Sequence, residues 1–125
     1  MSKSQLPLTP VEACNPSPRV REPLSAETAV ELAVVFKALS DPVRLRLLSS
    51  IASRSGQEAC VCDLSEGIDL TQPTISHHLK VLRGAGLLTS ERRASWVYYR
   101  VVPGALRQLS DALLLESGAA AEMSA

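Results

Sequence analysis

Three cysteines and two histidines are the side chains of this 125-residue chain best suited to hold a soft or borderline metal ion. Cys60 and Cys62 are separated by one residue, so two thiolates reach the same ion; Cys14 is the remaining thiol. The Cys60-Val61-Cys62-Asp63 run leads into a short predicted helix. A thiolate there is stabilised by unpaired backbone N–H groups, which prepares it as ligand or nucleophile. Cys14 lies in a segment long enough, at about 3.3 Å per residue, to fold back over its own chain or a twin. Structural zinc takes four Cys or His ligands, and both histidines, His77 and His78, fall elsewhere. Three thiolates suit a softer ion, and trivalent arsenic or antimony forms three-coordinate pyramids with sulfur. The expected ligand set is Cys60, Cys62 and Cys14, the last chosen because the chain offers no other thiol. No constellation of His, Asp or Glu accompanies the thiols, and no phosphate loop or cofactor motif is present. The expectation is a protein that is not an enzyme and has no enzymatic substrate.

Prolines mark the elements that must position these groups. Five of the eight fall in the first 23 residues, where no hydrophobic period is visible, so 1–24 reads as a flexible Pro-rich arm. Pro42, Pro73 and Pro103 each stand where a helix begins, the position at which a missing N–H costs nothing. Ser25 caps a helix to about Leu39 carrying Val30, Ala33 and Phe36. Asp41-Pro42 opens a second, with Val43, Leu47, Leu48 and Ile51 in helical period to about Ser53. Gly56 ends it. The short cysteine-led helix carries Leu64 and Ile68 and closes near Gly67–Asp69. Thr71 caps the next, which runs to about Ala85 and stops at Gly86. Leu87–Glu91 and Trp96–Val102 are β-rich and joined by Arg92–Ser95 as a hairpin. A last helix from Pro103 carries Leu106, Leu109, Leu113 and Leu114, and the tail 117–125 is expected to be disordered. The chain thus reads as one mainly α domain over 25–116 with a small β-hairpin.

On the helix after Thr71, with about 100° per residue, Ile75, Leu79 and Leu82 share one face and pack inward. Ser76, His77 and Lys80 occupy the opposite half, with Thr74 and Arg83 near its edges and Gln72 at the entrance. His78 lies near the core direction and is expected to be packed and hydrogen-bonded. The outer face offers the hydroxyl, amide, imidazole and ammonium groups that read a major groove. The short helix and turn before it complete a helix-turn-helix outline. From Leu70 to Arg100 five basic side chains stand against one acidic, in a chain with no net charge. That local excess favours phosphate contact, and Arg92 and Arg93 near the hairpin tip suit a backbone or minor groove. The expected DNA-binding set is Gln72, Thr74, Ser76, His77, Lys80, Arg83, Arg92 and Arg93.

Phe36-Lys37-Ala38-Leu39-Ser40-Asp41-Pro42-Val43-Arg44-Leu45, Gln72-Pro73-Thr74-Ile75-Ser76-His77-His78-Leu79-Lys80-Val81-Leu82, Gly86-Leu87-Leu88 and Trp96-Val97-Tyr98-Tyr99-Arg100 together resemble the ArsR/SmtB family of metal-sensing repressors. The resemblance spans about residues 25–115. It implies a winged helix-turn-helix homodimer built on the first and last helices, which binds double-stranded operator DNA without a cofactor. Glu58-Ala59-Cys60-Val61-Cys62-Asp63-Leu64 resembles the arsenic-responsive branch, in which a third cysteine stands where this chain has Ser65. Cys60 and Cys62 carry over as ligands; Cys14 is the displaced third. The family often has glycine at the wing tip, whereas this chain has Arg93-Ala94-Ser95, so a loop longer than two residues is expected.

The expected function is a repressor released by As(III), with Sb(III) as a second inducer. The alternatives are a thiol redox-sensing regulator of the same fold, a sensor of Cd, Pb or Bi, a thiol-dependent enzyme, and a dimerising adaptor that does not touch DNA. No run of 18 uncharged apolar residues and no apolar leader is present, so neither membrane nor secretion is expected. Free thiols point to the cytoplasm.

Overall fold

A computed structural model describes residues 15–118; Cys14 and the tail beyond Gly118 lie outside the described residues. The element order is α1 (Ala26–Leu39), α2 (Pro42–Ala52), a 3₁₀ turn (Ser55–Gln57), β1 (Glu58–Cys60), α3 (Val61–Leu64), α4 (Gln72–Gly84), β2 (Leu88–Arg93), β3 (Trp96–Val101) and α5 (Pro103–Ser117). None of these helices is long and apolar enough to cross a membrane.

The helix starts follow their capping chemistry. Ser25 accepts from the Thr28 amide, Asp41 from those of Val43 and Arg44, and Thr71 from that of Thr74, each satisfying an otherwise orphaned donor. Prolines occupy the first turns of α2, α4 and α5. At the end of α4 the chain reverses through Gly86 at φ +84°, a conformation glycine adopts without a side-chain clash. The Leu87 amide closes the turn on the Leu82 carbonyl.

The core is aliphatic and sits among α2, α3, α4 and the sheet. Leu47, Ile51, Leu64, Ile75, Leu79, Leu82, Leu87 and Leu88 are buried. Burial of each side chain of this size contributes about 1.5–3 kcal/mol. On α4 the buried set is Ile75, Leu79 and Leu82, the stripe that helical period predicts. By contrast α1 buries only Ala38, and α5 buries no residue. Val30, Val34, Leu113 and Leu115 stand about half exposed or more.

The structure extends one local expectation and corrects two. First, the expected β2–β3 hairpin is present, and β1 joins it in a three-stranded antiparallel sheet in the order β1-β3-β2. The added strand pairs Glu58 with Arg100, Ala59 with Tyr99 and Cys60 with Tyr98. Second, α3 is a single turn ending at Leu64, so the buried Ile68 lies in the loop beyond it. Third, the hairpin stays paired out to Arg93 and Trp96, leaving a two-residue turn, Ala94-Ser95. Ala94 takes φ +56° without the help of glycine. Positive φ at the first turn position is the hairpin geometry that matches strand twist, and the Arg93–Trp96 pair closes the turn around it.

Candidate nucleic-acid interface and thiol cluster

The outer face of α4 and one face of the wing meet in a cleft of about 390 Å³ lined by Val61, Ser76, Lys80, Arg83, Ser90, Arg92, Val97 and Tyr99. Four residues expected from sequence, Ser76, Lys80, Arg83 and Arg92, therefore converge from two elements. An Arg83 Nη1 to Ser90 Oγ hydrogen bond of 3.0 Å ties the helix to the wing. Gln72, Thr74 and His77 are exposed along the same helix, and the Thr74 hydroxyl lies 3.0 Å from that of Thr71. His78 is half-buried, its Nδ1 3.1 Å from Arg44 Nη1, which agrees with the packed role expected of it. Arg44 also donates to the Ala38 carbonyl at 2.6 Å, so this pair fastens α4 to the α1–α2 corner.

Strand alternation separates the two wing arginines. Successive side chains on a strand point to opposite faces. Arg92 lines the cleft with Lys80 and Arg83, whereas Arg93 lines the other face with Glu58, Glu91, Tyr98 and Arg100. There Arg93 forms a two-pronged ion pair with Glu58, both contacts 2.9 Å, and a third contact of 2.8 Å to Glu91. Its guanidinium carbon also lies 4.5 Å from the centre of the Tyr98 ring. Arg100 reaches the same Glu58 carboxylate at 2.7 Å. Hydrogen bonds from Arg93 and then Arg100 hold the Glu58 carboxyl down at about 2, and the carboxylates raise the pKa of Arg93. The pairing of Glu58 with the wing was invisible to sequence reasoning, because its partners lie 35 and 42 residues away.

The cysteines sit where β1 becomes α3. Cys60 is buried and Cys62 half-buried. Cys60 caps α3 with sulfur: its Sγ accepts from the Cys62 amide at 3.1 Å, and its own amide donates to Asp63 Oδ2 at 3.2 Å. The two sulfurs are bonded to each other as a disulfide, with the Cα atoms 5.3 Å apart. Ligand atoms of Cys60, Cys62 and Asp63 lie within 4.8 Å of one another. This donor set fits a small thiophilic ion once the sulfurs are reduced, because two adjacent soft donors converge with a carboxylate beside them. Ser65 spends its hydroxyl on the Val61 carbonyl. The Arg54 guanidinium holds the Asp63 carbonyl, and that of Arg46 holds Gly67, bracing the segment against α2.

A reading helix, a preceding short helix and a three-stranded wing flanking a basic cleft define a winged helix-turn-helix regulatory protein. Residues 41–90 match the model of the bacterial regulatory protein family named for arsR. The chain is 38% identical over 96 residues, 74% of its length and 70% of the relative's, to a transcriptional repressor SmtB homologue of Synechocystis. Over 81 residues it is 48% identical to the arsenic resistance transcriptional regulator ArsR1 of Pseudomonas putida, covering 65% of this chain and 61% of that protein. Among solved structures, the AntR antimony-specific transcriptional repressor superposes with a TM-score of 0.62 at 34% identity, covering 85% of this chain and 96% of that one. The chain belongs to the ArsR family, a family of regulators and not of enzymes.

Proposed function

We propose that the protein is a homodimeric transcriptional repressor that leaves its operator when Cys60 and Cys62 capture trivalent arsenic or antimony. The observation that carries this reading is the position of the thiols. Cys60 caps the helix that packs on α4, so a change at the sulfurs acts at the root of the reading helix. The arsenic and antimony regulators to which the chain is similar support the choice of inducer. Cys14 is proposed as the third sulfur.

In the repressing state α4 lies in the major groove. Gln72, Thr74, Ser76 and His77 face base edges and Lys80 reaches base or phosphate, while Arg83 and Arg92 hold phosphates from the two walls of the cleft. Two copies read half-sites about 34–36 Å apart. The half-exposed apolar residues of α1 and α5, with the groove of about 400 Å³ between these helices, are covered by the second copy. Removing this surface from water gives the dimer its driving force. A coupling of about 1–3 kcal/mol between inducer and operator corresponds to roughly 5–150-fold weaker DNA binding.

X-ray absorption at the arsenic edge of reduced, arsenite-loaded protein tests the ligand set. The expected first shell is sulfur only, with one sulfur fewer in each of Cys14→Ser, Cys60→Ser and Cys62→Ser. A shell unchanged by Cys14→Ser removes Cys14 from the site; an oxygen shell like that of free arsenite rejects metalloid sensing.

A second reading rests on the bonded sulfurs. Peroxide takes two electrons from the two thiols, giving the disulfide and two waters, and the disulfide itself alters the cap of α3. Operator release by peroxide in metal-free buffer favours this reading; retention excludes it.

A further inference from the structure

The sensor segment is tied to the wing by a backbone ladder and by the carboxylate of Glu58. β1 runs along β3 from Arg100 opposite Glu58 to Tyr98 opposite Cys60, toward the wing tip. Arg93, in the outermost pair of the hairpin, reaches back across the Tyr98 ring and grips both carboxylate oxygens of Glu58. The same carboxylate holds Arg100 on the central strand. Glu58 is largely screened, its side chain 22% exposed, so these charge-assisted contacts are short and directional. The three-residue strand ending in Cys60 is therefore locked to the wing by its backbone ladder and, two residues before the thiol, by a two-pronged ion pair.

We infer that Glu58 is a positioning residue that transmits inducer capture at Cys60 and Cys62 to the wing, making the wing a second moving part beside the reading helix. The inference rests on the proposed sensing role of the cysteines. Its geometry predicts that the wing wall of the basic cleft moves relative to the α4 wall, so Arg92 on the wing and Lys80 and Arg83 on α4 depart from their common spacing.

The chain carries its own reporter. Trp96, its single tryptophan, pairs with Arg93 at the wing tip and is 52% exposed. Along β3 it lies two residues, about 7 Å, beyond the position opposite Cys60. Three quantities are measured on full-length reduced protein: arsenite binding from the thiolate absorption band, Trp96 fluorescence, and the ratio of operator dissociation constants with and without arsenite. In the wild type arsenite binds, the Trp96 emission shifts, and the ratio rises. In Glu58→Ala arsenite still binds, but the Trp96 shift and the ratio are both diminished, because only the backbone ladder still links β1 to the wing. Arg93→Ala breaks the same link from the wing side without touching β1, and the same outcome is expected; it decides the matter if Glu58→Ala does not fold. A full Trp96 shift and an undiminished ratio in Arg93→Ala, or in a folded Glu58→Ala, overturn the inference while leaving the sensing role intact. No arsenite binding by the wild type overturns both.

Discussion

Replacing Arg92 removes a cation from the wall of the basic cleft, whereas replacing Arg93 removes one already paired with carboxylates. Arg92 faces the cleft beside Lys80 and Arg83, while Arg93 is held by Glu58 and Glu91 on the other face. Each cationic side chain withdrawn from a duplex phosphate lowers the slope of log K against log salt by about 0.9. Replacing Arg92 by alanine withdraws one arginine per subunit. For a dimer the slope then falls by about 1.8, and at 0.15 M salt affinity drops about thirty-fold. Arg93 brings little free charge to the DNA because two carboxylates already neutralise it, and Arg93→Ala is expected to move the slope by less than half as much. Fluorescence anisotropy of labelled operator from 0.05 to 0.3 M salt measures both. Equal slope changes for the two variants would refute the assignment of faces, and an unchanged slope in Arg92→Ala would show that the wing does not touch phosphate.

Leu79 is fully buried on α4, so Leu79→Ala should cost about 2–5 kcal/mol in urea unfolding; a cost below about 1 kcal/mol would mean that the reading helix is not seated as described. Thr71→Ala removes the α4 cap and should cost about 1 kcal/mol by the same measurement, and unchanged stability would show that the cap is dispensable. Backbone donation from Arg44, and then from Val43, holds the Asp41 carboxyl below its ordinary value of 3.8. The folded state therefore prefers the charged form. That stabilisation is complete above the ordinary value and is lost as pH falls through the depressed one. The gap in melting temperature between wild type and Asp41→Ala should narrow between pH 6 and pH 3, and a constant gap would contradict the cap's ionic character. Because the sulfurs of Cys60 and Cys62 are bonded, arsenite should bind only after reduction, which a thiolate-to-arsenic absorption band tests; equal binding by oxidised protein would exclude these sulfurs as ligands.

Much of the architecture was legible because helices announce themselves over many residues. The cap-and-proline starts at Asp41 and Thr71, the cap at Ser25, and the Ile75, Leu79, Leu82 stripe are repeated local signals that tertiary contacts merely reinforce. β1 was not legible, since three residues hold barely one period of alternation and their partner strand lies about forty positions on. The tight turn at Ala94 was hidden by the absence of glycine: its conformation is imposed by the pairing of Arg93 with Trp96 and not by the turn residues themselves. In the thiol cluster, the pattern of Cys60 and Cys62 pointed to the place where a soft ligand fits, but Glu58 and Asp63 entered only through the fold. The split between Arg92 and Arg93 follows from simple alternation once both are placed within β2, which the expectation of a long loop had prevented.

Operator release on addition of arsenite to the reduced protein is the most direct trial of the proposed sensing mechanism. Anisotropy of the labelled operator should fall as arsenite is added to the wild type and stay constant in Cys60→Ser and Cys62→Ser. An operator complex of the wild type that survives arsenite and antimonite, or serine variants that release DNA as readily as the wild type, would contradict it.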